Sequence, residues 1–443
     1  MAKVRVLITL TGDSEAKKVS LEAAAAGIRA ADFAARFAPA SNLPGVEIDS
    51  SFAPVPLEAM GRTPILAMST AENAATHVVR GEVDSRTLDA VAELPNARIF
   101  ADPQIEAIAV EGCGPSPIGA VADVHRLLNT AGLASRGLDG RAVAVAICDT
   151  GINEAHLLGK GLKPNIASQF LWTPPGVPAT PGNYPLDHAT MCAHAVMIAA
   201  PKATLIDIPL LQSTTPGQSA MSGVLSDAVA AFAYLRQLLA AKKVRRLVVN
   251  NSWGMYKLAW DFPAGHPGRY ADNPQHPFNL ACSALARAGA DILFAAGNCG
   301  PSCADGRCGV GDPYTITGAN AHPDVTTVAG VSIRGRLIGY SSQGPGIPGM
   351  AAQKPDIACY THYLGSEAFG VGVPDSGTST ACPVTAGSVA ALRTSQLSAN
   401  FRPADLAREL RTDALSSAQP TRWNKRLGYG ILNPYDTAVR LNL

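Results

Sequence analysis

The strongest constraint on this chain is the alternation of short apolar runs with helical stretches that begins near residue 140. The strand-like runs are 142–148, 203–208, 246–250, 291–295 and 325–331. Several are separated by stretches with helical spacing, including 191–200, 220–241 and 281–288. Runs of this length are typical of buried strands, and their alternation with helices predicts a doubly wound, mainly parallel α/β sheet with helices on both faces.

The first 112 residues have a different pattern and predict a smaller α+β domain. Strands are expected over 3–10, 64–68, 78–83 and within 98–110, and helices over 20–37 and 85–94. This order is that of a ferredoxin-like split βαβ unit. The turn-rich residues 113–121 are expected to be a linker, which leaves 122–443 as one large domain.

Composition limits the partners and the compartment. The chain has 443 residues, 47% of them hydrophobic and 16% charged, which is ample for a large core. A net charge of +1 without a long basic run predicts no nucleic-acid surface. No stretch is long and apolar enough to predict a membrane span. Without a recognisable signal peptide, and with nine cysteines that cannot all pair, we expect a cytoplasmic protein, secretion being the alternative.

Three chemically active side chains fall at the ends of predicted elements, where α/β sheets gather their functional groups. Asp149 ends the first apolar run, His188 precedes a helical stretch, and Ser379 opens an Ala- and Val-rich helix. In nucleophilic acyl transfer a hydroxyl attacks, an imidazole takes its proton, and a carboxylate orients the imidazole. The three residues therefore predict a catalytic triad.

The same segments resemble the signature blocks of subtilisin-like serine proteases, in the family's order Asp, His, Ser. The blocks are Asp-Thr-Gly at 149–151, His-Ala-Thr at 188–190 and Gly-Thr-Ser-x-Ala-x-Pro at 377–383. The resemblance extends over about 118–443. It implies a subtilisin-like catalytic domain and a serine endopeptidase that acts on peptides or proteins through an acyl-enzyme.

Two further blocks are similar to the family's oxyanion and substrate-binding segments. The resemblance implies that Asn298 donates to the oxyanion together with the backbone N–H of Ser379. It also implies substrate pockets with small walls apart from one indole, so an uncharged or large apolar P1 side chain is expected. The implied substrate-binding residues are Ser252, Trp253, Gly254, Ala295, Ala296 and Gly297.

The resemblance also reaches the N-terminal domain, because enzymes of this family often begin with a ferredoxin-like propeptide. Such a propeptide assists folding and caps the substrate cleft. We therefore expect residues 1–112 to be a partner of the catalytic domain, with 78–81 and 97–103 as inner and last strands. Any cleavage is expected near 109–121, and a dedicated intracellular processing role is favoured over bulk digestion.

The chain departs from the family pattern near the histidine. Ala189 replaces the usual Gly, and Cys382 replaces a Ser. Cys192 lies four residues after His188, on the same helical face, which resembles the thiol-containing proteinase K and thermitase branch. None of these changes removes a triad member. His194 is expected to be a packing residue.

The remaining cysteines and acidic residues leave the metal sites open. Cys299, Cys303 and Cys308 match no common zinc spacing, so a disulfide or free thiols are favoured over zinc. The chemistry requires no cofactor. Calcium, which this family often binds in loops, stays open with Asp312 as a candidate ligand, because no clear acidic loop is present.

Two alternative functions stay open at this point. Asp149 and Asp375 each begin an Asp-Thr/Ser-Gly pattern, as in aspartic proteases, whose paired carboxylates share a proton. That family, however, is all-β. The other alternative is a latent protein or a pseudoprotease that binds extended peptides without cutting them. A pseudoprotease is expected to lack a triad residue, and none is missing here.

Overall fold

The computed structural model describes residues 3–12, 46–49, 51–57, 75–85, 97–107, 114, 116–212, 221–416 and 422–443. Its strands are β1 (Lys3–Gly12), β2 (Val46–Ile48), β3 (Val55–Leu57), β4 (Ala75–Asp84), β5 (Ala97–Ala101), β6 (Gln104–Ala107), β7 (Ala144–Cys148), β8 (Asn165–Ile166), β9 (Thr204–Ile208), β10 (Ser222–Val224), β11 (Leu247–Asn251), β12 (Trp253–Gly254), β13 (Asp291–Ala295), β14 (Thr326–Val331) and β15 (Ile357–Tyr360). Its α-helices are α1 (Val121–Leu128), α2 (Thr130–Ser135), α3 (Glu154–Gly159), α4 (His188–Met197), α5 (Leu225–Ala240), α6 (Pro277–Arg287), α7 (Thr378–Arg393), α8 (Pro403–Thr412) and α9 (Pro434–Arg440).

The largest sheet has seven parallel strands in the spatial order β15-β14-β13-β11-β7-β9-β8. Alternate side chains of β7 enter two hydrophobic clusters, with Val145 and Ile147 in one and Ala146 and Cys148 in the other. The first cluster includes residues of α4 and α7, and the second includes residues of α5 and α6. Helices therefore cover both faces, and the predicted doubly wound, mainly parallel α/β fold is confirmed.

The sequence pattern locates the central strands of this sheet and misses the short outer ones. Each of the five predicted strands is present, with ends within two residues of the prediction. Strands β8 and β15 have two and four residues, too few to display a period. The helix predicted over 220–241 begins at Leu225 instead, because the preceding residues form β10.

The N-terminal region forms a separate antiparallel sheet in the order β2-β4-β1-β5, and β3 also pairs with β4. The strands predicted over 3–10 and 78–83 lie within β1 and β4. The strand predicted over 64–68 and the helix over 20–37 lie outside the described residues, as does the helix over 85–94 except for a turn at Ser85. The complete ferredoxin-like topology therefore stays a prediction.

Strand β6 belongs to a different sheet, in which it lies antiparallel between β10 and β12. Ile105 stands opposite Gly223, and Ala107 stands opposite Trp253. A segment of the predicted N-terminal domain thus completes a sheet with two strands of the large domain. Residues 108–113, where the predicted boundary falls, are outside the described part of the chain, so the domain limits stay a prediction.

The N-terminal sheet is anchored to the first turn of α5. The Asp102 carboxylate accepts hydrogen bonds from the backbone N–H of Ser226 at 2.8 Å and from its hydroxyl at 3.0 Å. A carboxylate at this end of a helix satisfies an amide that has no partner within the helix, and it complements the helix dipole. Arg80 adds an ion pair to Asp227 in the same turn and another to Asp49.

A buried ion pair joins the end of α7 to the start of β13. Arg393 donates from Nε and Nη2 to the two carboxylate oxygens of Asp291, both at 2.7 Å, and the side chains are 6% and 9% exposed.

Arg393→Ala leaves this carboxylate buried without its cation, so we expect the free energy of unfolding in urea to fall by about 3–5 kcal/mol. Arg402→Ala is the control, because that side chain is 81% exposed and its ion pair is expected to contribute less than about 1 kcal/mol. Equal losses in the two variants would contradict this account.

Candidate active site

Asp149 lies just beyond the carboxyl end of β7, at the topological switch point of the sheet. β7 pairs with β9 on one side and with β11 on the other, and side chains that follow such strands reach a crevice outside the sheet. The Asp149 carboxylate is fully buried, and one oxygen accepts from the N–H of Thr150 at 2.8 Å. The turn after β7 thus presents a fixed carboxylate at this edge.

His188 is the first residue of α4, and its imidazole faces that carboxylate. Nδ1 lies 2.9 Å from both Oδ1 and Oδ2 of Asp149, and both side chains are fully buried. The hydroxyl of Thr150 accepts from the N–H of Ala189 at 3.0 Å, so the residue next to Asp149 also caps this helix. Thr150 of the predicted Asp-Thr-Gly block therefore supports both members of the pair, Asp149 through its backbone N–H and the helix of His188 through its hydroxyl.

Ser379 is the second residue of α7, and Pro383 lies four residues later in the same helix. Because proline has no N–H, the carbonyl of Ser379 lacks the donor that an unbroken helix would supply. The Ser252 hydroxyl donates to that carbonyl at 3.0 Å, and the Cys192 thiol donates at 3.6 Å. The proline of the predicted block thereby frees an acceptor through which the backbone of Ser379, the predicted nucleophile, is bonded to Ser252 between β11 and β12 and to Cys192 in α4.

Cys192 makes contact with all three predicted triad residues. Its Sγ lies 3.6 Å from Oδ2 of Asp149, 3.9 Å from Nδ1 of His188 and 3.6 Å from the carbonyl oxygen of Ser379. Burial raises the pKa of this thiol well above its ordinary value, so it stays protonated and donates. These hydrogen bonds account for the grouping of Asp149, His188 and Cys192, whose ligand-type atoms lie within 4.8 Å of one another.

A second buried carboxylate supports the turn that follows Asp149. Asp207 in β9 accepts from the N–H of Ile152 at 3.2 Å and from that of Gly182 at 3.1 Å. Burial raises the pKa of Asp207 to about 7, and the nearby charge of Asp149 acts in the same direction. The sequence pattern gives no signal for this residue, because it lies within an otherwise apolar strand.

Asn298 follows β13, and its carboxamide is oriented by the residue before the predicted nucleophile. Its Oδ1 accepts from the N–H of Thr378 at 3.0 Å and from the Thr378 hydroxyl at 3.1 Å. The amide oxygen is therefore directed at α7, and Nδ2 is the donor end of the group. The hydroxyl of Thr378 in turn accepts from the N–H of Gly297 at 3.1 Å. Thr378 was not singled out by its sequence, although it belongs to the Gly-Thr-Ser block.

Three of the predicted substrate-binding residues line a pocket, and three do not. Gly254, Ala296 and Gly297 line an uncharged pocket next to Asn298, together with Thr315 and Thr317. The other three are buried, and each has a defined place. The indole of Trp253 packs edge-on against the ring of Phe294, with 5.1 Å between the ring centroids. Ala295 is the last residue of β13 and is buried, and the Ser252 hydroxyl donates a hydrogen bond to the Ser379 carbonyl.

His194 and Asp375 lie near this site but make different contacts. Nδ1 of His194 is 3.9 Å from Oδ2 of Asp375, and burial lowers the pKa of His194 to about 4, so the imidazole is neutral at pH 7. Asp375 accepts from the N–H and the hydroxyl of Ser366 at 2.7 and 2.6 Å. The aspartic protease alternative requires Asp149 and Asp375 to share a proton in an all-β fold. Here Asp149 is hydrogen-bonded to His188 and the fold is a parallel α/β sheet, so this alternative is wrong.

The cysteine cluster after Asn298 contains a disulfide rather than a zinc site. Cys299 is bonded to Cys308, and Cys303 is also disulfide-bonded. The free cysteines among the described residues are all buried, and they are Cys148, Cys192, Cys282, Cys359 and Cys382. Asp312, the candidate calcium ligand, accepts from the N–H of Leu258 at 2.9 Å. Calcium binding stays a prediction.

The strand order and the helices on both faces of the sheet define a subtilisin-like α/β fold. The family model described as "Subtilase family" matches residues 140–430, and the chain belongs to this family. Fervidolysin from Fervidobacterium pennivorans, a keratinolytic enzyme related to subtilisin, has a similar structure, with a TM-score of 0.56 and 16% identity. The match covers 99% of this chain but only 61% of that one, and at this identity it shows the fold alone. No curated protein matches the chain by sequence.

Thr378 is expected to act on the reaction by orienting Asn298. Thr378→Val removes the hydroxyl that donates to Oδ1 while it keeps the β-branched shape. We expect kcat to fall about tenfold with little change in KM, because the predicted oxyanion donor, the amide of Asn298, is displaced. The control is Thr385→Val, on the same helix, whose hydroxyl donates to the carbonyl of Ala381. A change in KM alone, or equal effects in both variants, would contradict this role.

Proposed function

We propose that the chain is a serine endopeptidase that cleaves peptide bonds through an acyl-enzyme at Ser379. The observation that carries the proposal is the contact of one atom, Sγ of Cys192, with Asp149, His188 and the backbone of Ser379. Residues just beyond β7, in α4 and in α7 therefore meet at one place, and they are of the chemical types that acyl transfer needs. Membership of the subtilase family supports the same reaction class.

His188 is assigned as the general base. Its Nδ1 faces both carboxylate oxygens of Asp149, so the proton of the neutral imidazole resides there and Nε2 is the basic nitrogen. Nε2 takes the Ser379 proton as the hydroxyl attacks, and it later returns a proton to the leaving amine. Asp149 stabilises the imidazolium that forms between these steps.

Asn298 and the first turn of α7 are assigned to the oxyanion. Nδ2 of Asn298 is the donor end of an amide whose oxygen is already bonded to Thr378. The backbone N–H of Ser379 belongs to the first turn of α7, whose amides have no acceptor within the helix and carry its positive dipole end. Donors fixed before the reaction stabilise the developing charge without reorganisation.

Strand β6 indicates how a substrate lies in the cleft. An extended peptide paired with β10 and β12 would gain main-chain hydrogen bonds on both sides, as in β-strand addition. The register places Ala107 opposite Trp253, so the strand runs toward Ser252, whose hydroxyl is bonded to the Ser379 carbonyl. The residue after Ala107 is therefore assigned to P1, and Ala107, Glu106 and Ile105 to P2, P3 and P4.

The N-terminal domain is assigned as a cap on this cleft and as a folding aid. With β6 in place, the groove between β10 and β12 is filled by the chain's own residues. The anchor of Asp102 on Ser226 would stabilise the first turn of α5 during folding. The latent alternative is thus favoured as a first state, and cleavage after residue 108 is the proposed route out of it.

The partners and the compartment follow the same reasoning. Peptide or protein substrates fit the cleft, and no helix within the described residues is long and apolar enough to cross a membrane. The Cys299–Cys308 disulfide supports secretion, the alternative to the expected cytoplasmic location, because disulfides persist in oxidising compartments. We propose an oxidising compartment on this ground.

The test compares the full chain with its Ser379→Ala variant. We expect the wild-type chain to cut itself after residue 108 and to hydrolyse a denatured protein substrate, as followed by intact-mass spectrometry. Loss of the nucleophile should lower both rates by at least about 10⁴-fold. Ser376→Ala is the matched control and should retain both activities. If wild type and Ser379→Ala are equally inert, the chain is a peptide-binding pseudoprotease and the proposal is wrong.

A further inference from the structure

The loop between Cys299 and Cys308 contacts the strand that occupies the cleft. Nη1 of Arg307 lies 3.0 Å from Oε2 of Glu106 and 3.1 Å from the carbonyl oxygen of Ala107. Glu106 and Arg307 are only 15% and 31% exposed, so water screens this ion pair less than one on an open surface. One guanidinium thus donates to a side-chain carboxylate and to a main-chain carbonyl of the bound strand.

Arg307 is held in place by groups outside the bound strand. Its Nε and Nη2 donate to the two carboxylate oxygens of Asp305 at 3.0 and 2.8 Å. Its guanidinium stacks 4.0 Å from the ring centroid of Tyr256, and Nη2 donates to the Tyr256 hydroxyl at 2.6 Å. That hydroxyl donates to the Ala107 carbonyl at 3.1 Å. A bidentate pair and a stacked ring restrict the guanidinium, which lowers the cost of ordering it on a ligand.

The loop itself is tied to the reaction centre. The Cys299–Cys308 disulfide closes it, and the N–H of Asp305 donates to the carbonyl oxygen of Asn298 at 2.9 Å. Arg307 is therefore positioned relative to the assigned oxyanion donor by one short covalent ring. Arg307 is therefore in position to contact any extended strand that lies in the groove between β10 and β12.

Neighbouring residues of the strand face different environments. Ile105 and Ala107 are fully buried, and Ile105 belongs to the hydrophobic cluster that also includes Leu225 and Trp253. Glu106, between them, points to the opposite side, as alternation along a strand requires. The groove therefore offers an apolar site, a cationic site and a tightly enclosed site for three successive residues.

We infer that Arg307 is a specificity residue that selects an acidic side chain at P3. The substrate class is an extended peptide with an apolar P4, an acidic P3 and a small P2 residue, the pattern of residues 105–107. This inference rests on the proposed protease function, since it deepens the assignment of the same cleft. Arg307 already donates to both carboxylate oxygens of Asp305. A Lys or Arg at P3 would therefore face the guanidinium of Arg307, and the nearby carboxylate would not be available to accept from it.

The experiment measures kcat/KM of the full chain on internally quenched peptides that copy residues 104–110. The peptides differ at P3, which is Glu, Gln or Lys. We expect Glu to be preferred over Gln by about tenfold, as for a hydrogen-bonded charge pair, and Lys to be the poorest. Arg307→Glu should reverse the order of Glu and Lys, and Arg307→Lys should keep a preference for Glu. The control variant is Arg402→Glu, which changes the same kind of charge at a side chain that is 81% exposed, and it should keep the wild-type order of the three peptides.

Reversal of selectivity separates recognition from a structural role of the loop. If Arg307→Glu lowers kcat/KM on all peptides by the same factor, the residue only supports the loop and the inference is wrong. Equal rates of the wild-type chain on the Glu, Gln and Lys peptides overturn it as well, although the protease function then stands. Inert wild-type chain overturns the protease proposal instead.

A second measurement tests the contact without any catalysis. In the full Ser379→Ala chain, we compare the melting temperatures of Glu106→Gln, Arg307→Gln and the double variant. Coupled residues should give a double variant whose loss in Tm is smaller than the sum of the two single losses. Strictly additive losses would show that Glu106 and Arg307 do not interact, and they would overturn the inference even if the chain cuts nothing.

Discussion

The carbonyl oxygen of Ser379 is the acceptor on which the site depends. Pro383 removes its helical donor, and the oxygen is satisfied instead by the Ser252 hydroxyl and the Cys192 thiol. Ser252 lies between β11 and β12, and Cys192 lies in α4 one turn after His188. A single main-chain oxygen therefore brings the helix of Ser379, the helix of His188 and the residue before β12 to one point.

The electrostatic surroundings of that point follow from burial. The Cys192 thiol stays protonated because burial raises its pKa, and its single S–H has two acceptors in reach, Oδ2 of Asp149 and the carbonyl oxygen of Ser379. A group at this position that only accepts would face two further acceptors, the Asp149 carboxylate and the Ser379 carbonyl, without a proton between them. Asp207 and Thr150 supply the support behind Asp149, one through backbone amides of the following turn and the other through the cap of α4.

Much of this could be predicted from the sequence, because the sheet is buried on both faces and its strands are continuous apolar runs. Asp149 and Ser379 were found at element ends, and family resemblance added Asn298. Contacts between distant segments could not be predicted in this way. Glu106 and Arg307 are 201 residues apart, and neither belongs to a motif. Strands β8 and β15 are too short to have a readable period.

Strand β6 links the proposed latency of the chain to the proposed recognition of its substrates. It shows the groove between β10 and β12 filled by an extended segment, and it brings Glu106 to the loop that begins one residue after Asn298. In the proposed function, the contacts that hold the N-terminal segment in the groove would also serve a substrate. Recognition and latency would then be two uses of one surface.

The central claim is that His188 activates Ser379. A serine-directed phosphonofluoridate tests this directly. It is added to the full chain once self-cleavage is complete, as judged from a constant intact mass, and the modified residue is located by peptide mapping. The account predicts one adduct, on Ser379, and its loss in the His188→Ala variant. An adduct elsewhere, none at all, or labelling of Ser379 that does not depend on His188 would contradict it.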